Sequence, residues 1–119
     1  MSLPRQEPPP DGTEPIHVAV PDYVYPLIPR FLDNRRHDLA TLRAAVARQD
    51  YETIRSLGHR MKGDGGSYGL PRVSDIGQRL ERAAAQGDDT GIRAALDELA
   101  DFVSRVQVSR EPPSQSPRR

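Results

Sequence analysis

The sequence predicts an all-α protein, an antiparallel up-down four-helix bundle with a short extra helix on its N-terminal side. Three observations support this prediction. Apolar residues recur at helical spacing in four successive segments between residues 29 and 106. A glycine, proline or aspartate stands at each junction, where helices typically begin and end. The connections are only a few residues long, which is typical of up-down bundles.

The prolines divide the chain of 119 residues into three predicted parts, because most of the twelve lie towards the two ends. We expect residues 1–20 to be disordered or extended, residues 21–110 to form the bundle, and residues 111–119 to be a disordered tail. Ile16–Val20 has the composition of a short strand. It is isolated from any other strand signal, so we interpret it as an extended lead-in.

Two helices are predicted before residue 50. A short one lies near residues 22–28, and a long one covers about residues 29–48, where Pro29 suits a first helical position. The long helix has one apolar face. That face consists of Ile28, Phe31, Leu32, Leu39, Leu42, Ala45 and Val46.

Three further helices complete the bundle prediction. Asp50 is a good N-cap for a helix over residues 51–67, which Gly69 would end. The next helix begins at Pro71 and stops at Gly87. Asp88 or Asp89 caps the last helix, which we expect to continue to about residue 110, where prolines follow.

Composition excludes several classes of function. Seventeen basic residues balance seventeen acidic ones, so the chain lacks the basic footprint of a nucleic-acid-binding protein. The absence of cysteine excludes disulfides, thiolate metal sites and cysteine nucleophiles. No apolar run approaches the roughly 20 residues of a membrane span, and no signal-peptide segment opens the chain. We therefore expect a cytoplasmic monomer that binds neither membrane nor nucleic acid.

Enzymatic and metal chemistry find little support in the motifs. No Gly-x-x-x-x-Gly-Lys-Ser/Thr loop is present, so we predict no ATP site. His17, His37 and His59 lie in three different segments and form no metal-ligand pair. We predict no metal and no cofactor, and we interpret His17 and His37 as surface residues.

The predicted helix 51–67 carries four glycines, at positions 58, 63, 65 and 66. Each costs roughly 1 kcal/mol relative to alanine. At about 100° per residue, His59 falls opposite the apolar stripe, with Gly63, Gly66 and Lys62 on its side. A neutral imidazole in solvent can attack an activated phosphoryl group, and the doubly charged product would need a cation such as Lys62.

The glycines have a second explanation, which is close packing between helices. Gly58 and Gly65 lie nearer the edge of the apolar stripe, so packing would account for those two. It explains Gly63 and Gly66 less well, because both fall on the side of His59.

The segment His59-Arg-Met-Lys62-Gly63, followed by Gly69, resembles the core pattern of the histidine-containing phosphotransfer (HPt) domain, His-x-x-Lys-Gly and a later Gly. The resemblance extends from about residue 22 to residue 106. It includes flanking features, namely Asp50, the pair Leu80-Glu81 and the pair Gly87-Asp88.

This resemblance implies a phosphocarrier in two-component signalling that has no ATP site of its own. His59 would accept a phosphoryl group from the aspartate of a response-regulator receiver domain and pass it to another receiver, with Lys62 stabilising the phosphoryl group. The implied partners are receiver domains and a hybrid sensor histidine kinase. The implied partner-binding residues are Arg55, Ser56, Arg60, Gly63 and Gly66.

Three positions depart from the family pattern. Gly58 replaces a frequent alanine, and Asp64 stands where small hydroxylic residues are common. Glu81 occupies the position at which some members hold the histidine ring with a glutamine, so the pattern does not predict that role here. An alternative function also stays open, a helical adaptor that binds a receiver or kinase domain without transferring phosphate.

Overall fold

The computed structural model describes residues 14–112, which form four α-helices, two strands and one 3-10 turn. The predictions for residues 1–13 and 113–119 lie outside this range. The helices are α1 (Ile28–Ala47), α2 (Tyr51–Ser67), α3 (Pro71–Ala85) and α4 (Asp89–Arg105). The strands are β1 (Ile16–Val20) and β2 (Val106–Arg110). The mostly helical fold with four helices confirms that part of the prediction.

The ends of α2 are set by the residues that the sequence singled out. Asp50 caps the helix by accepting a hydrogen bond from the backbone N–H of Thr53 at 3.2 Å. The Thr53 hydroxyl donates a second bond to the same carboxylate at 2.7 Å. These two bonds hold the pKa of Asp50 below its ordinary value of 3.8. Gly69 follows the helix with a φ of +76°, a conformation that glycine adopts without steric cost.

The two strands correct the prediction at both ends of the bundle. β1 and β2 pair in parallel, with Ile16 opposite Val106 and Val20 opposite Arg110. The expected extended lead-in is therefore a strand, and α4 ends at Arg105 instead of continuing towards residue 110. The apolar side chains of both strands pack against the core. This packing joins segments about 90 residues apart in the sequence, so local periodicity could not reveal it.

A separate helix over residues 22–28 is not present. The structure has a 3-10 turn at Tyr25–Leu27 that leads directly into α1. Pro29, in the first turn of α1, has no N–H to donate to the carbonyl of Tyr25. The α-helical hydrogen-bond pattern therefore starts after this proline, and only a tight turn forms before it.

The helices enclose one core. Each packs against the next in sequence, and α1 also packs against α4, so that the four form a closed ring. All four contribute fully buried side chains, among them Leu42, Ile54, Ile76 and Leu96. No helix within residues 14–112 combines the length and the apolar character needed to cross a membrane.

The backbones of α2 and α3 approach closely because glycines line their contact. A Cβ at Gly58 would lie 2.8 Å from both the Gly77 carbonyl oxygen and the Glu81 amide nitrogen. A Cβ at Gly77 would lie 2.5 Å from the Lys62 amide nitrogen, and one at Gly65 would overlap the backbone of α3. Close packing therefore explains Gly58 and Gly65. Gly77 serves the same contact and was not singled out by the sequence analysis.

Candidate functional site

His59 lies on the solvent-facing side of α2, and 71% of its side chain is exposed. The helix is oriented by the burial of Ile54, Leu57 and Met61 on its opposite face. The other residues that the sequence assigned to a site share this exposed surface. They are Arg55, Ser56, Arg60, Lys62, Gly63 and Gly66.

The closest partner of the His59 ring is Glu81 on α3. The Nδ1 atom of His59 lies 3.0 Å from Oε2 of Glu81. A carboxylate only accepts hydrogen bonds, so Nδ1 carries the proton of the neutral imidazole. Nε2 then keeps its lone pair, and no residue in the described range forms a hydrogen bond with it. The contact therefore directs Nε2, the more nucleophilic nitrogen in this tautomer, towards solvent.

Glu81 also connects His59 to Lys62. Its second oxygen, Oε1, lies 3.9 Å from Nζ of Lys62. The Glu81 side chain is 24% exposed, much less than that of His59. A largely buried carboxylate thus lies between the imidazole and the ammonium group. The sequence analysis treated Glu81 as a departure and missed this contact.

The close contact between α2 and α3, which Gly58, Gly65 and Gly77 allow, brings Glu81 within reach of His59. Gly58 immediately precedes His59, and its α-carbon faces the backbone of Gly77 and Glu81. Side chains at these positions would separate the two helices. These glycines therefore contribute to the site, because they let the backbones of α2 and α3 lie close together.

The surface beside His59 is open. A Cβ at Gly63 would meet no atom within 4 Å, and one at Gly66 would meet only the Ser74 hydroxyl at 3.7 Å. Packing does not require glycine at either position. These two glycines thus differ from Gly58 and Gly65, as the sequence analysis anticipated.

Asp64 belongs to a different contact, on the side of α2 that faces α1. Its carboxylate lies 3.9 Å from Nη1 of Arg35, whose side chain is only 8% exposed. Arg35 also bonds Asp38 at 3.0 Å and lies over the ring of Phe31, 4.6 Å from its centroid. Asp64, whose role the sequence left unexplained, therefore forms an ion pair with α1.

Of the two arginines assigned to partner binding, one is engaged and one is not. Arg55 donates to the Glu52 carboxylate at 2.8 Å. Arg60 is exposed and makes no hydrogen bond or ion pair within residues 14–112.

The other histidines lie elsewhere, His17 in β1 and His37 in α1. In the described part of the chain, no group of three or more His, Asp or Glu side chains is arranged to hold a metal ion.

Comparison with known proteins identifies this architecture. A family model described as the Hpt domain matches residues 27–109, which span all four helices and most of β2. No curated protein and no solved structure shows a significant match. Hpt domains are phosphotransfer carriers of two-component signalling that interact with receiver domains, and they have no ATP site. Because the match covers well over half of its length, this chain belongs to the Hpt domain family.

Proposed function

We propose that this protein is a phosphorelay intermediate. His59 accepts a phosphoryl group from the aspartyl phosphate of one receiver domain and donates it to the aspartate of another. The observation that carries the proposal is the exposed imidazole, whose Nδ1 is bonded to Glu81 while Nε2 faces solvent.

The accepting step needs no separate base. The Nε2 lone pair attacks phosphorus, the bond between phosphorus and the aspartate oxygen breaks, and its electron pair returns to the receiver's carboxylate. The imidazole becomes cationic and keeps its proton on Nδ1, against Glu81. In the donating step the acceptor aspartate attacks phosphorus, and the nitrogen–phosphorus electron pair returns to Nε2. No proton is gained or lost in either direction.

Lys62 stabilises the transferred group. A phosphoryl group carries close to two negative charges at neutral pH and needs a nearby cation. Lys62 lies one turn beyond His59, is half exposed, and approaches Glu81 only to 3.9 Å. This distance is longer than a direct hydrogen bond, so the ammonium group can turn to the phosphoryl oxygens.

The surrounding surface suits a receiver's active site. Gly63 and Gly66 leave room for loops of the partner next to His59. Arg60 places positive charge beside the site, Arg55 adds a charge that its ion pair with Glu52 offsets in part, and Ser56 adds a small polar group. An approaching aspartyl phosphate is anionic, so these arginines would favour its encounter with the histidine.

The helix arrangement is part of the same proposal. Contacts between α2 and α3 pair Gly58 with Glu81 and Gly65 with Ser74, so they run in opposite directions along the two helices. This supports the antiparallel up-down order. We also propose that the protein acts as a monomer, since the exposed site occupies one face of α2.

The test is labelling by a phosphorylated receiver domain. Incubation should give an acid-labile, base-stable label on the wild-type protein, as expected for phosphohistidine. His59→Gln should take up no label, while His37→Gln, which changes an exposed histidine of α1, should label normally. If His59→Gln bound the receiver as tightly as wild type and wild type never acquired label, the protein would be a non-transferring adaptor.

A further inference from the structure

We infer that Glu81 is a positioning residue that keeps Nδ1 of phosphorylated His59 protonated, and thereby sustains phosphoryl donation at alkaline pH. This inference rests on the proposed function and concerns its second half, the transfer away from His59.

The geometry predicts different effects for a carboxylate and for an amide at position 81. Oε2 of Glu81 accepts the Nδ1 proton at 3.0 Å from a partly sheltered position. A glutamine could accept the same hydrogen bond through its amide oxygen, but it would bring no charge. Only the carboxylate attracts the positive charge that the ring acquires when Nε2 is phosphorylated.

That charge decides how easily the nitrogen–phosphorus bond breaks. With Nδ1 protonated, the group that leaves phosphorus is neutral imidazole. Without that proton the leaving group is an imidazolide anion, which is a far stronger base and a much poorer leaving group. Alkaline pH removes the Nδ1 proton from an unassisted phosphohistidine. A carboxylate in direct contact with Nδ1–H opposes this loss and keeps the donor competent.

Other charges near the ring act less directly. On α2, Lys62 lies close to Glu81, and the phosphoryl group itself would offset its positive charge. Arg55, one turn before His59, is paired with Glu52. On α3, Arg82 follows Glu81 and is exposed. Within residues 14–112, no charged group of α1 or α4 forms an ion pair or hydrogen bond with His59, Lys62 or Glu81.

The test is single-turnover transfer from the labelled protein to one receiver domain, measured from pH 6 to pH 9 in wild type and Glu81→Gln. The same receiver in both arms cancels its own pH dependence. We expect rates within about twofold at pH 6 and about tenfold slower transfer by Glu81→Gln at the alkaline end, the low end of the range for a partly exposed charge pair. Glu81→Asp should restore part of the difference, and Asp75→Asn, which removes an exposed carboxylate elsewhere on α3, should follow wild type.

Parallel pH profiles of wild type and Glu81→Gln, with labelling intact, would overturn this inference and leave the proposed function standing. Failure of both proteins to label would refute the proposed function, and this inference with it. A second measurement needs no variant. Nitrogen-15 NMR of phosphorylated wild type should show the Nδ1 proton retained to higher pH than in a phosphohistidine peptide, and loss at the same pH as in the peptide would contradict the role of Glu81.

Discussion

Replacing Gly63 with alanine adds a methyl group at an exposed position inside α2. The new Cβ would meet no atom within 4 Å, so the fold accommodates it without adjustment. Alanine lowers the conformational entropy of the unfolded chain and favours the helix by about 1 kcal/mol over glycine. For a domain of this size, that gain corresponds to a rise in Tm of about 4–8 °C.

The same methyl group should impair phosphotransfer. It would project from the surface beside His59, where the proposed receiver docks. Extra volume in a close-packed contact costs about 1–3 kcal/mol. A cost of about 1.4 kcal/mol, in the lower half of this range, slows transfer at subsaturating receiver by about tenfold. A more stable protein that transfers more slowly is therefore the expected result.

Gly58→Ala is the matched control, because it makes the same change five residues earlier in the same helix. Its Cβ would lie 2.8 Å from the Gly77 carbonyl oxygen and the Glu81 amide nitrogen, both backbone atoms that cannot move independently. The overlap should outweigh the gain in helix propensity, so this variant loses stability by about 1–2 kcal/mol.

Urea denaturation followed by circular dichroism gives the free energies of unfolding, and transfer from a phosphorylated receiver gives the rates. The reasoning would be wrong if Gly63→Ala destabilised the fold. It would also be wrong if Gly63→Ala were stabilised yet transferred at the wild-type rate, because glycine would then not be needed for docking.

Three further predictions concern the cation, the N-cap and the strand. Lys62→Ala should slow transfer to His59 by about fivefold to tenfold, while Lys62→Arg retains most of the rate. Equal rates for wild type and both variants would show that Lys62 does not stabilise the phosphoryl group. Because hydrogen bonds from the Thr53 side chain and backbone lower the pKa of Asp50, its contribution to stability is present above the unfolded-state pKa and is lost as the pH falls through the folded-state pKa. As the pH is lowered from about 4 to 2, the free energy of unfolding from urea titrations should therefore fall less for Asp50→Asn than for wild type. The same fall in both proteins would contradict this prediction. Val20→Ala removes two methyl groups from a fully buried strand residue and should cost about 2 kcal/mol, whereas exposed His17→Ala should change stability by less than about 0.5 kcal/mol.

The parts of the fold that local chemistry determines were predictable. The bounds of α2 follow from an aspartate that caps it and a glycine that ends it. The exposure of His59 and Lys62 on one side of α2 follows from helical periodicity alone.

The contacts between distant segments were not predictable in this way. The pairing of β1 with β2 depends on the bundle bringing the two ends of the domain together. Glu81 reaches His59 because glycines on both α2 and α3 allow their backbones to approach. Gly77 on α3 was a usable signal, since a glycine in the interior of a helix is typical of close helix packing.

Asp64 shows the same limitation for electrostatics. From the sequence alone, Asp64 was only a departure from the family pattern, just over one helical turn beyond His59. The structure pairs it with Arg35, a nearly buried residue of α1 that no motif connects to it. The identity of a charge was evident from the sequence, but its partner depended on the tertiary packing.

The central claim is that His59 carries phosphate between two receivers, and a reconstituted relay tests it most directly. One receiver domain is phosphorylated with radioactive acetyl phosphate, freed of reagent, and mixed with a second receiver in the presence or absence of this protein. We predict that label reaches the second receiver only when the protein is present, and that His59→Gln abolishes the transfer while His37→Gln does not. Transfer that persisted with His59→Gln would contradict the account.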